Sequence, residues 1–216
     1  MGLTPERRCF DTASTIAAID RICALWLSHE DPLNRLDAAA GDGNLGVTVH
    51  KGCTAVRLLL PSLGAESPAT AIVRAGMAFN SAAASTRGAL IATACMRMGK
   101  AAEGKGCLVR DDLLRMVAAA EAGIRTRGKA SLGDKTLLEA LVPAVQALAD
   151  RAGDAEAADA DLAGAMLAAA EAGLQSTTGM VPKKGRAQWV GERAAQVPDA
   201  GASVVVWLCA ALLNGD

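Results

Sequence analysis

Apolar residues recur at helical spacing along most of this chain. In the first such stretch the apolar face holds Ile16, Ile19, Cys23, Trp26 and Leu27, while Asp20 and Arg21 fall on the opposite face. A stripe of this kind is typical of an amphipathic helix whose apolar side is buried. We therefore expect this stretch to form a core helix.

Eight helical stretches are separated by turn signals. They are predicted to span roughly 11–28, 46–61, 67–83, 88–103, 110–128, 134–152, 157–176 and 200–213. Their starts are well marked, because Ser67 and Pro68 supply an N-cap and a first-turn proline, and Asp134 or Thr136 can cap the sixth helix. The segment 178–199 lacks a helical period, and long irregular segments in compact proteins usually carry function.

Composition agrees with one compact all-α domain over residues 1–216. The chain is 51% hydrophobic with a net charge of −1, and it has no Tyr, two Phe and three Trp among 216 residues. A chain of this length buries a substantial core, and abundant alanine with few aromatic residues favours helices over sheets. The near-neutral charge offers no basic surface for nucleic acid, so we expect no such partner.

The sequence also predicts a cytoplasmic protein. The N-terminal residues lack the apolar core of a signal peptide, and by inspection no apolar run reaches the length of a membrane span. Six cysteines are scattered without a Cys-x-x-Cys pair, at positions 9, 23, 53, 95, 107 and 209. We expect them to be reduced core residues and the chain to have no contact with a membrane.

The densest candidate chemistry lies between Asp37 and Thr48. Two carboxylates and a carboxamide, those of Asp37, Asp42 and Asn44, surround a Gly-Asp-Gly turn. Hard oxygen ligands on a glycine turn favour Mg²⁺, and the free amides of the helix that follows favour phosphate. A calcium-like structural loop or an Asx-rich turn is the alternative from spacing alone.

Three ordered segments carry a resemblance to a known family. They are Asp37 to Thr48, the Gly133-Asp134-Lys135-Thr136 stretch, and Gly185 to Arg193 followed by Asp199-Ala200-Gly201-Ala202. Together they resemble the nucleotide-binding L subunit of dihydroxyacetone kinases. The resemblance implies a barrel of eight antiparallel helices, with the nucleotide site at one rim, and a lid in the segment 178–199. Without the resemblance, the lysines and arginines of that segment could equally form a solvated basic loop.

The resemblance also implies the site residues. The metal ligands would be Asp37, Asp42 and Asn44, which in the family bind two Mg²⁺ ions against the phosphates of ADP or ATP. The nucleotide would contact Leu45, Gly46, Val47, Thr48, Thr86, Arg87, Gly88, Gly128, Leu137, Arg186, Asp199, Ala200 and Gly201. Arg87 and Arg186 are the candidate catalytic residues.

This sequence departs from the family at the metal and phosphate positions. Asn44 replaces an aspartate, Leu45 replaces the usual histidine, and Arg87 replaces a small hydroxyl residue. Because a guanidinium can neutralise phosphate charge, we hypothesise that Arg87 replaces one of the two Mg²⁺ ions. The alternative is a diverged site with weakened or lost catalysis.

The implied function is phosphate transfer to a small keto sugar held by a separate K-type subunit. The nucleotide would be charged either by ATP exchange or by a phosphohistidine protein of the phosphotransferase system, and a homodimer is a further option. His29 and His50 are the two histidines, and we expect packing or solvated roles for both. A non-catalytic nucleotide-binding regulator and a structural helical interaction protein are the competing hypotheses.

Overall fold

A computed structural model describes residues 9–152, 154 and 157–214. Within these residues the chain forms nine α-helices and no β-strand. The helices are α1 Thr12–Ser28, α2 Glu30–Ala40, α3 Leu45–Leu59, α4 Pro68–Ala82, α5 Thr86–Ala101, α6 Arg110–Gly128, α7 Leu138–Ala152, α8 Asp159–Ser176 and α9 Ala200–Leu213. Short 3-10 helices occupy Leu60–Ser62, Arg186–Trp189 and Gly191–Gln196. The all-α prediction is confirmed.

Eight of the helices form a closed ring. Each of α3 to α9 packs against the next along the chain, and α1 closes the ring by packing against both α9 and α3. Short connections such as the one between α4 and α5 make neighbouring helices antiparallel. These are the eight helices that periodicity predicts, and their ends differ from the predicted ones by at most a few residues.

Local capping explains where several helices begin. Ser67 Oγ accepts a hydrogen bond from Thr70 N at 3.2 Å, and Pro68 is the first residue of α4, as its sequence predicts. Asp11, Ser85 and Asp199 cap α1, α5 and α9 in the same way. Each cap satisfies an amide that the helix itself leaves free.

The ninth helix, α2, is absent from the sequence prediction. It ends at Gly41, directly before the Gly-Asp-Gly turn, and it packs against α3 and α9. Its short length and the proline within its first turn, Pro32, hide its helical period in the sequence. Leu33 and Asp37 are nevertheless buried, so tertiary packing stabilises this helix and holds Asp37 beside the turn.

Two cysteines contradict the expectation that all six are reduced core residues. Cys9 and Cys107 are joined by a disulfide, with their Cα atoms 5.6 Å apart and a sequence separation of 98 positions. The residues that follow these two cysteines, Phe10 and Leu108, form an antiparallel backbone bridge in which Phe10 N donates to Leu108 O at 2.8 Å. Neither cysteine lies in a helix, whereas Cys23, Cys53 and Cys209 are buried free thiols and Cys95 is half-buried.

One segment, Gly191–Leu213, is long and apolar enough by composition to span a membrane, with a mean hydropathy of 1.5. The expectation that no run reaches this length is therefore wrong. The segment is interrupted at residues 197–199, where a 3-10 helix ends and Asp199 caps α9. Because α9 packs on α1, α7 and α8 through Val205, Val206 and Cys209, we interpret it as a core helix of the ring.

Candidate functional site

Asp37 organises the loop between α2 and α3. Its side chain is 2% exposed, and its Oδ2 accepts hydrogen bonds from Asn44 N at 2.9 Å and Leu45 N at 3.1 Å. The guanidinium of Arg87 donates to Oδ1 at 2.5 Å and to Oδ2 at 3.4 Å. Both oxygens of this buried carboxylate are thus engaged by backbone amides and a forked ion pair.

Two glycines shape this loop. Gly43 has a φ of 71°, a conformation that side chains rarely adopt, and it turns the chain between Asp42 and Asn44. Gly46 lies so close to α2 that a Cβ there would be 2.1 Å from Glu30 O. A larger residue at Gly46 would push the start of α3 away from α2, so this glycine fixes the distance between them.

A polar cleft of about 260 Å³ lies between the start of α3 and the α4–α5 connection, which ends at the N-cap of α5. It is lined by Asn44, Val47, Thr48, Lys51, Ala82, Ala83, Ala84 and Ser85. Lys51 is the one charged side chain among these lining residues. Two helix N-termini and a lysine create a positive environment that suits an anion such as phosphate.

Asp42 lies outside this buried network, at the turn itself. Its Oδ2 accepts from Asn44 Nδ2 at 2.6 Å and is also paired with the guanidinium of Arg186. Arg186 comes from residues 178–199, which we call the lid segment, and its side chain is 72% exposed. The ion pair brings the lid segment to the Gly-Asp-Gly turn, 144 residues earlier in the chain.

A buried lysine fastens the lid segment to the turn before α7. Lys135 is 3% exposed, has a φ of 58°, and donates from Nζ to Ala194 O at 2.8 Å and to Val197 O at 2.7 Å. Burial lowers the pKa of this ammonium, and the nearby Asp199 carboxylate opposes that shift. The side chain of Glu139 holds the same turn by accepting from Gly133 N at 2.8 Å and Thr136 N at 2.5 Å.

Asp199 joins the lid segment to the ring. Its backbone N donates to Thr177 Oγ1 at 2.9 Å, and its Oδ1 accepts from Ala202 N at 2.7 Å. Burial raises the pKa of Asp199 to about 6, although the hydrogen bond from Ala202 and the positive charge of Arg87 oppose the rise. Asp199 is therefore close enough to Arg87 to sense its charge.

The structure brings most of the sequence-predicted site residues towards one end of the ring. Asp37 and Arg87 pair directly, Asn44 and Arg186 meet at Asp42, and Val47 N donates to Asn34 Oδ1 at 3.2 Å. Leu45, Gly46, Val47 and Thr48 form the first turn of α3, while Thr86, Arg87 and Gly88 form that of α5. Of these residues, Val47 and Thr48 line the cleft, and Thr86 directly follows Ser85, which also lines it.

Gly128 and Leu137, predicted to flank the adenine, lie at the end of α6 and directly before α7, and Ala200 and Gly201, predicted to close over the nucleotide, begin α9. A Cβ on Gly201 would lie 3.3 Å from Leu137 Cβ, so these two predicted positions are neighbours. Gly128 ends α6, and a Cβ there would face Leu90 on α5 at 3.7 Å. Ala200, which begins α9, is buried.

Three residues of this region are missing from the sequence prediction. Lys51 lies one turn beyond Thr48 on α3, and that helical spacing is the signal that could have found it. Lys135 acts through the distant carbonyls of Ala194 and Val197, and Glu139 through the nearby amides of Gly133 and Thr136. The Gly133 to Thr136 segment carries the family resemblance, but no local pattern indicates that Lys135 reaches the lid segment.

The described residues offer a divalent cation oxygen donors at the turn but no preformed metal cage. Among the described residues, no group of three His, Cys, Asp or Glu side chains lies close enough to hold a metal. Both oxygens of Asp37 are engaged, and Oδ2 of Asp42 is paired with Asn44 and Arg186. A cation at the turn would therefore meet Oδ1 of Asp42 and the side-chain oxygen of Asn44. Mg²⁺ typically binds through one or two protein carboxylates and completes its shell with phosphate and water.

A larger groove lies away from these residues. It has a volume of about 790 Å³ and runs between α1 and α3, where Asp20 and Arg57 form an ion pair at 2.6 Å. The rest of its lining consists of Pro61, Gly64, Thr54 and apolar side chains. It contains none of the residues predicted for the site.

Known proteins similar to this chain share its family. The DAK2 domain matches residues 39–214. The ADP-binding subunit DhaL of PEP-dependent dihydroxyacetone kinase 2 from Listeria innocua is 36% identical over 173 residues, which cover 79% of each chain. The corresponding DhaL subunit from Escherichia coli is 29% identical over 85% of this chain and 87% of its own.

Solved structures agree on the fold. The dihydroxyacetone kinase of C. freundii, in a crystal structure described as a complex with AMP-PNP and Mg²⁺, matches the whole chain with a TM-score of 0.72 at 22% identity. This chain spans about a third of that longer protein, 36% of its length. Sequence and fold together lead to one conclusion: the chain belongs to the DAK2 domain family.

Proposed function

We propose that this chain binds ADP or ATP and is the nucleotide-binding subunit of a dihydroxyacetone-type kinase. The observation that carries the proposal is a cleft lined by Lys51 and by the N-cap residues of α3 and α5, Asn44 and Ser85. Each N-cap residue adjoins the Asp37–Arg87 network, since Asn44 N donates to Asp37 and Arg87 lies two residues after Ser85. Relatives that match most of this chain are named as ADP-binding subunits of such kinases. A purely structural helical protein would not require a positively charged cleft of this kind.

The phosphates fit between the first turns of α3 and α5. Several first-turn amides already donate within the protein, those of Leu45, Val47, Thr48 and Gly88. The phosphates would therefore meet the positive ends of the two helices and the amides of Gly46, Thr86 and Arg87. We place the adenine against Gly128 and Leu137, and we assign Arg186, Asp199, Ala200 and Gly201 to closure over the nucleotide. Arg87 and Arg186 would stabilise charge that develops during phosphoryl transfer.

We propose one Mg²⁺ per nucleotide instead of the two that the resemblance implies. Three carboxylates with two Mg²⁺ ions carry one net positive charge. Two carboxylates with one guanidinium and one Mg²⁺ carry the same net charge. Asp42 and Asn44 would hold the ion, which would supply positive charge against the phosphate oxygens.

The phosphoryl acceptor would come from a K-type subunit that holds a small keto sugar. Transfer would break the bond from the terminal phosphorus to its bridging oxygen and form a bond from phosphorus to the acceptor hydroxyl. Trp189, 82% exposed and three residues after Arg186, offers an aromatic contact at this rim for the partner. ATP exchange and a phosphohistidine protein remain the two proposed phosphoryl sources, and a homodimer stays a prediction.

A thermal-shift experiment tests nucleotide binding directly. ADP and ATP should raise the melting temperature of the purified chain in the presence of Mg²⁺, because a ligand of the native state stabilises it. Asp42→Ala should reduce the shift, while Asp150→Ala, which removes the same charge from an exposed position on α7, should leave it unchanged. No shift with either nucleotide, in protein free of bound ADP, would contradict the proposal.

Turnover separates the kinase from a non-catalytic regulator. Mixed with a K-type subunit, ATP, Mg²⁺ and dihydroxyacetone, the chain should support phosphorylation of the sugar. Nucleotide binding without turnover would instead favour the regulatory hypothesis.

Cytoplasmic location also stays a prediction. A count of free thiols on freshly extracted protein would show whether Cys9 and Cys107 are paired in the cell.

A further inference from the structure

The Asp37–Arg87 pair sits where a metal ligand was predicted. Asp37 accepts from two backbone amides and from two nitrogens of Arg87, and its side chain is 2% exposed. A metal ion could approach this carboxylate only by displacing the guanidinium. The geometry therefore gives Asp37 a different partner from the one that the resemblance implies.

We infer that Asp37 anchors Arg87 as a fixed cation, and that Arg87 binds the nucleotide phosphate directly and makes binding largely independent of Mg²⁺. This inference rests on the proposed function, since it concerns the same nucleotide site. It names the chemistry of one contact, a guanidinium on a phosphate oxygen.

The position of Arg87 supports this role. It is the second residue of α5, and a cation at the positive end of a helix dipole is unfavourable without a compensating anion. Asp37 compensates part of that charge from one side. The Arg87 side chain is still 41% exposed, and the Asp37 pair uses two of the five guanidinium N–H groups, so the others can bind a second anion.

The other charges around the cleft also favour the binding of an anion. Lys51 lines the cleft together with the N-cap residues of α3 and α5, Asn44 and Ser85. The carboxylate of Asp42, which could repel an anion, is paired with Arg186. A phosphate group would therefore meet a positive surface before any metal ion arrives.

Calorimetric titration of ADP in excess Mg²⁺ and in EDTA tests the inference on the full chain. In EDTA the wild type should retain most of its affinity, whereas Arg87→Ser should bind about tenfold to a hundredfold more weakly than wild type, as expected for charge-assisted hydrogen bonds. Arg35→Ser, which removes an exposed guanidinium from α2, should behave like the wild type. The ADP affinity of Arg87→Lys in EDTA should fall between those of the wild type and Arg87→Ser, because lysine keeps the positive charge but cannot form the two-pronged hydrogen bonds of a guanidinium.

A second measurement counts metal ions. Titration with Mn²⁺, followed by its magnetic resonance signal, should give no more than one ion per bound ADP in the wild type. The double variant Asn44→Asp with Arg87→Ser should bind more Mn²⁺ and should depend more strongly on it, because a carboxylate has been gained and the competing guanidinium lost.

The outcomes separate this inference from the function on which it rests. Binding of ADP by the wild type only with Mg²⁺, two Mn²⁺ per nucleotide, or unchanged affinity of Arg87→Ser in EDTA would overturn the inference and leave the nucleotide site standing. No binding of ADP under any condition would overturn both. If Arg87→Ser does not fold, the wild-type stoichiometry and the Arg87→Lys variant still decide the question.

Discussion

Replacement of Gly173 by alanine probes how closely α7 and α8 pack beneath the site. A Cβ at Gly173 would lie 2.0 Å from Glu139 O, 2.8 Å from Glu139 C and 2.9 Å from Ala140 Cα. Since these are backbone atoms, no side-chain rotation relieves the contact. The two helices must move apart by roughly 1 Å in an interior that is otherwise close-packed.

The expected cost follows from that displacement. Overpacking of a core costs about 1 to 3 kcal/mol, and backbone contacts place Gly173→Ala at or above the upper value. For a chain of this size about 3 kcal/mol lowers the Tm by roughly 6 to 12 °C. Nucleotide affinity should also fall, because Glu139 holds the Gly133 and Thr136 amides of the turn that precedes α7.

Urea denaturation and thermal melting, each with and without ADP, measure both effects. Gly164→Ala is the matched control on α8, because a Cβ there meets nothing within 4 Å. It should stabilise the protein by about 0.5 to 1 kcal/mol through helix propensity. Equal stability of the two variants would refute the argument that Gly173 sets the spacing of α7 and α8.

Three further predictions concern the lid segment and the cleft. Lys135→Met should lower the free energy of unfolding by about 2 to 4 kcal/mol, because two buried carbonyls lose a charged donor. Lys129 also has a positive φ but is exposed, so Lys129→Met should change the free energy of unfolding little. Equal urea midpoints of the two variants would contradict this prediction. Because burial raises the pKa of Asp199 from 3.8 to about 6, the folded state holds this proton more tightly than the unfolded state. Its stabilising contribution is complete below about pH 4 and is lost as the pH rises through about 6, a change of about 3 kcal/mol. Asp199→Asn keeps the cap and removes this titration, so its stability relative to wild type should rise across that pH range in urea titrations; parallel pH profiles would refute the assignment. Lys51→Met should weaken ADP binding about tenfold without lowering the Tm, whereas the exposed Lys100→Met should not alter binding, and calorimetry distinguishes them.

Local sequence determined the helical ring. Apolar residues repeat at helical spacing in each of its eight helices, and caps such as Ser67 act on amides three residues away. Such short-range interactions depend only on residues close together in sequence, so the start of α4 could be located from the sequence alone. The Gly-Asp-Gly turn was equally visible, since it concentrates glycine and oxygen ligands within a few positions.

Tertiary structure decided which of these residues meet. Arg87 lies 50 residues from Asp37, Lys135 lies 59 residues from Ala194, and Cys9 lies 98 residues from Cys107. Nothing in local periodicity encodes such distances, and α2 itself forms because Leu33 and Asp37 are buried against the ring. The sequence alone thus determined the helices and the chemical groups at the turn. Packing around the ring decided that the buried carboxylate of Asp37 faces a guanidinium, because burial of a charge requires a partner that only the folded chain can bring to it.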